Sequence, residues 1–376
     1  MVVWIQNPFD NLPGEGFRKQ RYWMMADAFV RAGHHVVLWS SDFSHATKCH
    51  RARVATTETC GFDVQLIPTL PYTKNVGFAR LRSHRNYARN WLRLAREFEG
   101  PRPDFIICSI PTISGAEAAL QIGLEKGSRV VVDVMDAWPE TFERLAPRGA
   151  RGLAHLLLAP WRRRAQRVYR SANLVTGVSE RYRELTRRND YFVAYHGIDF
   201  SDQASSRETS DDAKTQKIRL VYSGNLGCTY DLKTVIRAVS ESPDMELEVA
   251  GFGNFKCENP RVHFHGLLQE DDLRALFSSC DIGVIPMRSE SWVGVPYKFC
   301  DYSRAGLPIV SSLGGETAAL LSRFQCGVSY IAGDVRSLVS AIRKAATLPR
   351  DHSKKMCAEV FEATRIYDGY VRFVCQ

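Results

Sequence analysis

Lys298 and Asp301 stand three residues apart, a spacing that puts two side chains on one face of a helix. They lie in the segment Glu290 to Val310. Gly294 and Pro296 turn the chain before a short helical stretch, and Gly306-Leu307-Pro308 stops it before a strand. A lysine at a helix start, beside the unsatisfied N–H groups of the first turn, suits a pyrophosphate. A carboxylate one turn further on can accept hydrogen bonds from the paired hydroxyls of a ribose. Glu290 adds a second carboxylate and Arg288 a second cation nearby. The plainer alternative is a solvated Lys–Asp surface pair, which contributes little.

Two glycine loops each follow a strand and precede a helix. Asn11 to Gly16 offers Gly14, Glu15 and Gly16, with Arg18 just beyond, as a phosphate or acceptor loop; Tyr222 to Gly227 offers Gly224, Asn225 and Gly227. Glycine there lets backbone N–H groups approach an anion. Neither loop fits Gly-x-Gly-x-x-Gly or the Walker pattern, which disfavours nicotinamide and ATP chemistry. A plain tight turn remains the alternative for each. His34, His35, His196, His263 and His265 sit in or beside strands, where structural roles are commoner than catalytic ones. The ten cysteines are scattered without a Cys-x-x-Cys pair, so reduced, mostly buried thiols are expected and no metal site is.

The elements that would position these residues alternate. In the first half, strands are expected at Val2–Ile5, His35–Ser40, Val64–Ile67, Phe105–Cys108, Val130–Val134 and Leu174–Val178. Helices are expected at Phe17–Ala32, Phe78–Phe98 and Ile113–Lys126. Ser201 to Gln216 is polar and nearly free of large apolar residues, the best linker in the chain. The alternation resumes with strands at Ile218–Tyr222, Glu246–Ala250, Val262–His265, Ile282–Ile285 and Ile309–Ser311. Helices at Leu232–Ser240, Asp271–Ser278 and Lys298–Arg304 fall between them. This is an α/β pattern of two doubly wound parallel sheets in tandem. Each carries its ligand edge at the carboxyl ends of its strands, and a cleft would form if the two edges face each other.

A chain of 376 residues suits two domains, and 45% hydrophobic with 24% charged residues is ordinary for a folded protein. No apolar run is long enough to span a bilayer, and Gln6, Asn7, Pro8 and Asp10 break the first strand too early for a signal peptide; a cytoplasmic protein is expected. Charge is uneven. Residues 1–200 hold 29 Lys or Arg against 19 Asp or Glu, and the remainder 21 against 22. Two stretches interleave arginine with apolar residues. One runs from Phe78 to Arg96 with Arg80, Arg82, Arg85, Arg89 and Arg93; the other spans Arg151 to Arg170 around Leu156-Leu157-Leu158 and Trp161. Such stretches suit an anionic membrane surface, with a solvated face as the alternative. No nucleic-acid-binding motif accompanies them, so nucleic acid is not an expected partner.

The Glu290–Val310 segment resembles the nucleotide-binding signature of GT-B glycosyltransferases, in particular the retaining family 4. There a carboxylate stands five residues before the glycine of a strand entry, the place taken by Asp301 before Gly306. Pro296 to Tyr302 resembles the form found in a branch that makes bacterial surface polysaccharides (O-antigen or capsule). Asp136-Ala-Trp-Pro-Glu140, Tyr222 to Gly227, Asp231-Leu-Lys-Thr, Val249-Ala-Gly-Phe-Gly253, His265-Gly266, Asp281 to Pro286, Val178-Ser179 and His196-Gly-Ile-Asp199 fall in the order of that branch. Three features depart from the pattern, the first being Asp301 where the family has a Glu, shorter by one methylene but able to do the same chemistry. The family's first Glu is Val293 here, with Glu290 close by, and the phosphate loop lacks the family's Arg and Lys, leaving Lys298 and Arg288 to take their part.

The resemblance implies two Rossmann-like domains. An acceptor domain would span 1–200, a linker 201–216 and a nucleotide-sugar domain 217–357, with a final helix at about 358–376 returning to the first. It implies retaining, metal-independent transfer of a sugar from a nucleoside-diphosphate sugar, a UDP-sugar above all, to a lipid-linked or saccharide acceptor, without a cofactor. The protein would work peripherally at the inner face of the cytoplasmic membrane. Asp136, Lys298 and Glu290 would be catalytic. Asp301, Gly224, Asn225, Gly227, Gly251, Gly253, Arg288 and Tyr297 would bind the donor nucleotide, and Gly14, Glu15, Gly16 and Arg18 the acceptor or a phosphate. A sugar-nucleotide epimerase or hydrolase, or a non-catalytic nucleotide-sugar-binding subunit, are the alternatives.

Overall fold

The computed structural model describes residues 1–15, 17–51, 60–200, 217–227, 229–253, 255 and 257–376; Gly16 and the expected linker 201–216 lie outside the described residues. The chain divides into two units, Met1–Asp199 with Ala363–Gln376, and Phe200–Glu362.

The first unit is a parallel sheet of seven strands, β1 (Val2–Gln6), β2 (His35–Ser41), β3 (Asp63–Ile67), β4 (Phe105–Ile110), β5 (Arg129–Val134), β6 (Leu174–Gly177) and β7 (Tyr191–Val193), in the order β3-β2-β1-β4-β5-β6-β7. The central strands are Val- and Ile-rich because both faces are covered by helices. Those helices are α1 (Arg21–Arg31), α2 (Phe78–Glu97), α3 (Ile113–Lys126), α4 (Glu140–Leu145), α5 (Arg151–Ser171) and α6 (Arg181–Thr186). The first helix starts at Arg21, not at Phe17. Gln20 is extended and its Oε1 accepts the Asn11 amide at 2.7 Å, so the residues before Arg21 serve to close the glycine loop.

One buried ion pair ties the layers of this unit. Arg21 on α1 meets Asp133 on β5 through two bonds, Nε to Oδ2 at 2.7 Å and Nη2 to Oδ1 at 2.8 Å. Tyr22 and Thr176 each donate a further hydrogen bond to Asp133 at 2.7 Å, and Arg21 Nη1 donates to the Ala194 and Tyr195 carbonyls. Burial alone would raise the Asp133 carboxyl, but the Arg21 guanidinium and these hydrogen bonds hold it below its ordinary value.

The second unit repeats the strand order on a smaller scale. Strands β8 (Ile218–Ser223), β9 (Met245–Ala250), β10 (Val262–Gly266), β11 (Ile282–Ile285), β12 (Ile309–Ser311) and β13 (Gly327–Ser329) run in the order β10-β9-β8-β11-β12-β13. Its helices are α7 (Leu232–Glu241), α8 (Glu270–Ser278), α9 (Tyr297–Arg304), α10 (Gly315–Phe324), α11 (Val335–Ala345) and α12 (Arg350–Val360). Asp231 caps α7 by accepting from Thr234, and Asp334 caps α11 by accepting from Ser337. The last helix, α13 (Ala363–Cys375), belongs to the first unit: Tyr367 and Tyr370 are buried there against α1, and the Gly197 amide donates to the Tyr367 hydroxyl at 3.2 Å.

Candidate functional site

In the second unit β8 and β11 are neighbours whose connections leave in opposite directions, the switch point where open α/β sheets bind ligands. Two glycines shape this edge. Gly224 has φ +123° and Gly251 φ +152°, and a Cβ on Gly251 would lie 1.8 Å from the Gly224 carbonyl oxygen. Only glycine lets the loops after β8 and β9 approach so closely. The Tyr302 hydroxyl accepts the Ser223 amide at 2.8 Å and so holds α9 to the end of β8. The loop after β8 is tied to the exit of β11 by the Tyr230–Met287 bridge and by the Asp231 amide donating to the Pro286 carbonyl.

This framework aims Lys298 into the glycine loop. Its Nζ would be 3.4 Å from a Cβ at Gly224, and lies 3.6 Å from the Tyr230 ring centroid and 4.7 Å from that of Tyr222. Lys298 is only 7% exposed. Burial pushes its ammonium down to about 7, against the opposing charge of Asp301 one turn along the helix. Among the described residues no carboxylate reaches ion-pairing distance of it. A cation so placed, with backbone N–H groups around it, is an attractor for a diphosphate.

Several sequence-expected residues share this edge. Asn225 and Gly227 continue the loop, and Asn225 offers its carbonyl to the Tyr222 hydroxyl at 2.5 Å. Gly253, at φ +146°, sits against Leu226; Tyr297 opens α9, and Asp301 is half-buried on it. The Arg288 amide donates to the Thr229 carbonyl, which places that exposed arginine beside the loop. Glu290 lies in the turn before α9 and accepts from the Ser289 hydroxyl at 2.9 Å.

The strand ends of the first unit hold a different constellation. Phe9 follows β1, His45 follows β2, Tyr72 follows β3, and Asp136 and Trp138 follow β5. Arg80 and His84 reach the same edge from α2. The Arg80 guanidinium lies 4.7 Å from the Trp138 ring, 5.2 Å from Phe9 and 5.9 Å from Tyr72. Asp136 accepts from Trp138 Nε1 at 2.9 Å; burial raises its carboxyl and Arg80 opposes the rise. This carboxylate therefore orients an aromatic wall as well as facing the edge. A small cavity beside it is lined by Phe9, Phe43, Thr69, Tyr72 and His84.

Some expected roles change. Arg80 is not part of an outward basic face; it turns inward over three rings, because the hydrophobic side of α2 carries Tyr87 and Trp91 into the core. Glu15 braces its own loop, accepting the Leu12 amide at 2.7 Å and pairing with Arg51. Gly14 is exposed with open space beside it, and Arg18 is half-buried near His196. On α5, Arg162 pairs with Glu143 and Arg164 with Glu117, whereas Arg163, Arg167 and Arg170 are exposed. The sequence reading missed Tyr222, Tyr230, Lys48, His45 and Tyr72. They come from the ends of separate elements, and no spacing along the chain links them.

The comparisons with known proteins follow the same division. A model described as "Glycosyl transferase 4-like domain" matches residues 19–195, and one described as "Glycosyl transferases group 1" matches residues 217–347. A comparison with curated protein sequences yields no match. Among solved structures, Anabaena HepE in complex with UDP and glucose is similar over 100% of this chain and 99% of its own, with TM-score 0.67 and 16% identity. Sucrose-phosphate synthase from Thermosynechococcus elongatus is similar over 100% and 98%, with TM-score 0.74 and 12% identity. A glycosyltransferase from Rickettsia africae is similar over 99% and 97%, with TM-score 0.63 and 10% identity. At such identities the likeness establishes the fold, two Rossmann-like domains of the GT-B type.

Proposed function

With a glycosyltransferase model on each half and a GT-B fold, the chain is a GT-B glycosyltransferase, and we propose that it moves a sugar from a UDP-sugar to a lipid-linked or saccharide acceptor, as a family 4 enzyme of bacterial surface glycan synthesis. The observation that carries the donor assignment is Lys298, a buried ammonium without a carboxylate partner among the described residues, held against a glycine loop. The UDP and glucose held by the similar HepE structure support UDP as the nucleotide.

In this reading the donor's diphosphate lies over Gly224, Asn225 and Gly227, and Asp301 receives the ribose hydroxyls. The bond between the sugar's C1 and the diphosphate oxygen breaks, and negative charge grows on that oxygen. Lys298 and the loop N–H groups stabilise it there, where the low-dielectric surroundings make each interaction stronger than in water. The acceptor hydroxyl forms the new bond to C1 on the face the diphosphate leaves and passes its proton to the departing diphosphate oxygen, which gives retention without an enzyme nucleophile. Asp136 orients the acceptor hydroxyl or the donor sugar. Arg288 is the second cation for the diphosphate, and neither step calls for a metal ion.

The membrane part of the reading rests on α5. Among the described residues no helix is long and apolar enough to cross a membrane. Leu153, Leu156 and Leu157 are 61%, 69% and 70% exposed, and with Arg163, Arg167 and Arg170 they form one continuous helical stripe. An apolar half followed by a basic half suits the interface of an anionic bilayer.

Calorimetry with UDP, followed by turnover of UDP-glucose and other UDP-sugars, tests the proposal. Micromolar UDP binding, with turnover lowered more than UDP affinity in Lys298→Ala, is the expected result. Absence of UDP binding removes UDP as the nucleotide, and UDP released at full rate without any acceptor turns the reading to a hydrolase.

A further inference from the structure

Two cations, Lys48 and Arg80, meet at the strand ends of the first unit. Lys48 Nζ donates to Asn75 Oδ1 at 2.7 Å and to His45 Nδ1 at 3.2 Å. Arg80 Nη1 donates to the Asn75 backbone carbonyl at 2.7 Å, and its Nε reaches His84 Nε2 at 3.3 Å. Both cations stand over the same Tyr72 ring, Lys48 Nζ at 4.8 Å and Arg80 Cζ at 5.9 Å from its centroid. Asn75 and Tyr72 thus hold two like charges on one small patch. Every described partner of the pair is neutral: an amide, a carbonyl, two imidazoles and aromatic rings. Asp136 acts on Arg80 only at longer range.

The electrostatics describe a site short of negative charge. Burial and then the nearby Arg80 bring Lys48 down to about 8. Burial, again with Arg80, brings His45 and His84 down to about 3, so both imidazoles are neutral near pH 7 and add no charge of their own. Among the described residues no carboxylate lies within ion-pairing distance of either cation; Asp136 offsets part of the Arg80 charge, and what remains opposes folding. A bound anion would relieve the repulsion, accept the remaining ammonium and guanidinium protons, and leave Trp138, Phe9 and Tyr72 to pack on the apolar faces of an attached group.

We infer that Lys48 and Arg80, with Asn75 and the surrounding aromatic rings, form a binding subsite for an anionic group on the acceptor, a phosphate or a carboxylate next to the sugar that Asp136 addresses. This deepens the glycosyltransferase reading and rests on it for the word acceptor. It also names the acceptor's class: an acidic molecule, either diphosphate-linked or carrying an acidic sugar.

Calorimetric titration of the UDP-saturated protein with inorganic pyrophosphate, and separately with glucuronate, tests the inference. UDP fills the second unit, so the remaining anion binding reports on the first. At least one probe binds the native protein, and Lys48→Gln and Arg80→Gln each weaken it by about tenfold or more, since each removes a charge-assisted hydrogen bond. A native-like circular-dichroism spectrum and cooperative melt show that both variants are folded, and Lys48→Arg with Arg80→Lys should retain most of the binding. Selectivity for pyrophosphate supports a diphosphate-linked acceptor, and selectivity for glucuronate an acidic sugar. Binding of neither probe, or binding that both substitutions leave intact, overturns the inference. If UDP itself does not bind, the nucleotide-sugar reading falls separately. The same titration on Lys298→Ala without UDP then still decides whether Lys48 and Arg80 form an anion site.

Discussion

Arg21 in the first unit and Lys298 in the second are both buried cations near the centre of a parallel sheet, and they are treated in opposite ways. Arg21 is met by Asp133 through two hydrogen bonds, with Tyr22 and Thr176 completing the carboxylate's shell. Lys298 has tyrosine rings and glycine backbone around it instead. A buried charge that is paired in every direction ties elements together. A buried charge left short of a partner costs stability, and a fold keeps it where a ligand supplies the missing charge.

The comparison makes its largest claim about stability. Asp133→Ala should lower the unfolding free energy by about 3–5 kcal/mol, because it leaves the Arg21 guanidinium buried and unpaired. Denaturant titration checks this. The folded Asp133 carboxyl lies below its unfolded value, so its contribution is present above the unfolded pKa and lost as pH falls through the folded one. Native-like stability of the variant would mean that the pair is not what joins α1 to β5 and β6.

Lys298→Met should behave the other way. Turnover should fall by about 10²–10³, the loss seen on removing a donor to developing negative charge, while the melting temperature holds or rises. Steady-state kinetics and thermal melts of one preparation give both numbers. The folded Lys298 pKa of about 7 is depressed from 10.5, so the native protein gains stability from this group as pH rises between those values. The advantage of the Met variant should therefore shrink from pH 7 to pH 10. A strongly destabilised Met variant would place Lys298 with Arg21 as an architectural residue.

Asp301→Ala should weaken UDP binding by about 1–3 kcal/mol, the range for losing a hydrogen bond to a charged group. Calorimetry reads it directly, and unchanged affinity would remove Asp301 from the ribose. The smallest effect concerns charges that are exposed. Arg163→Glu and Arg167→Glu should each weaken sedimentation with anionic vesicles by about 1 kcal/mol at low salt and leave UDP binding intact. Vesicle binding that ignores both substitutions would return the α5 stripe to an ordinary solvated face.

Much of the fold was legible because its signals are local. Apolar runs such as those within Phe105–Ile110 and Arg129–Val134 announce buried strands, and Asp231 announces a helix start through its own side chain, whereas α10, α11 and α12 were not anticipated. The three-residue strands β7 and β13 were not legible, whereas β12, equally short, was marked by the Gly306-Leu307-Pro308 turn before it. The start of α1 was misread for a related reason: Gln20 leaves the helix to serve Asn11, nine residues away.

The sequence by itself determined two doubly wound α/β units and a Lys298–Asp301 helix face beside a glycine loop, since helical spacing and turn chemistry act within a few residues. It could not determine which charges are paired. Arg21 and Asp133 are far apart in the chain, as are Lys298 and Tyr222, and Lys48 and Arg80 meet only at Asn75 and Tyr72. Burial and pairing are properties of the packed sheet edge. Tertiary structure alone therefore made Arg21 a fastening, left Lys298 without a carboxylate partner among the described residues, and turned Arg80 from an apparent surface charge inward over Phe9, Tyr72 and Trp138.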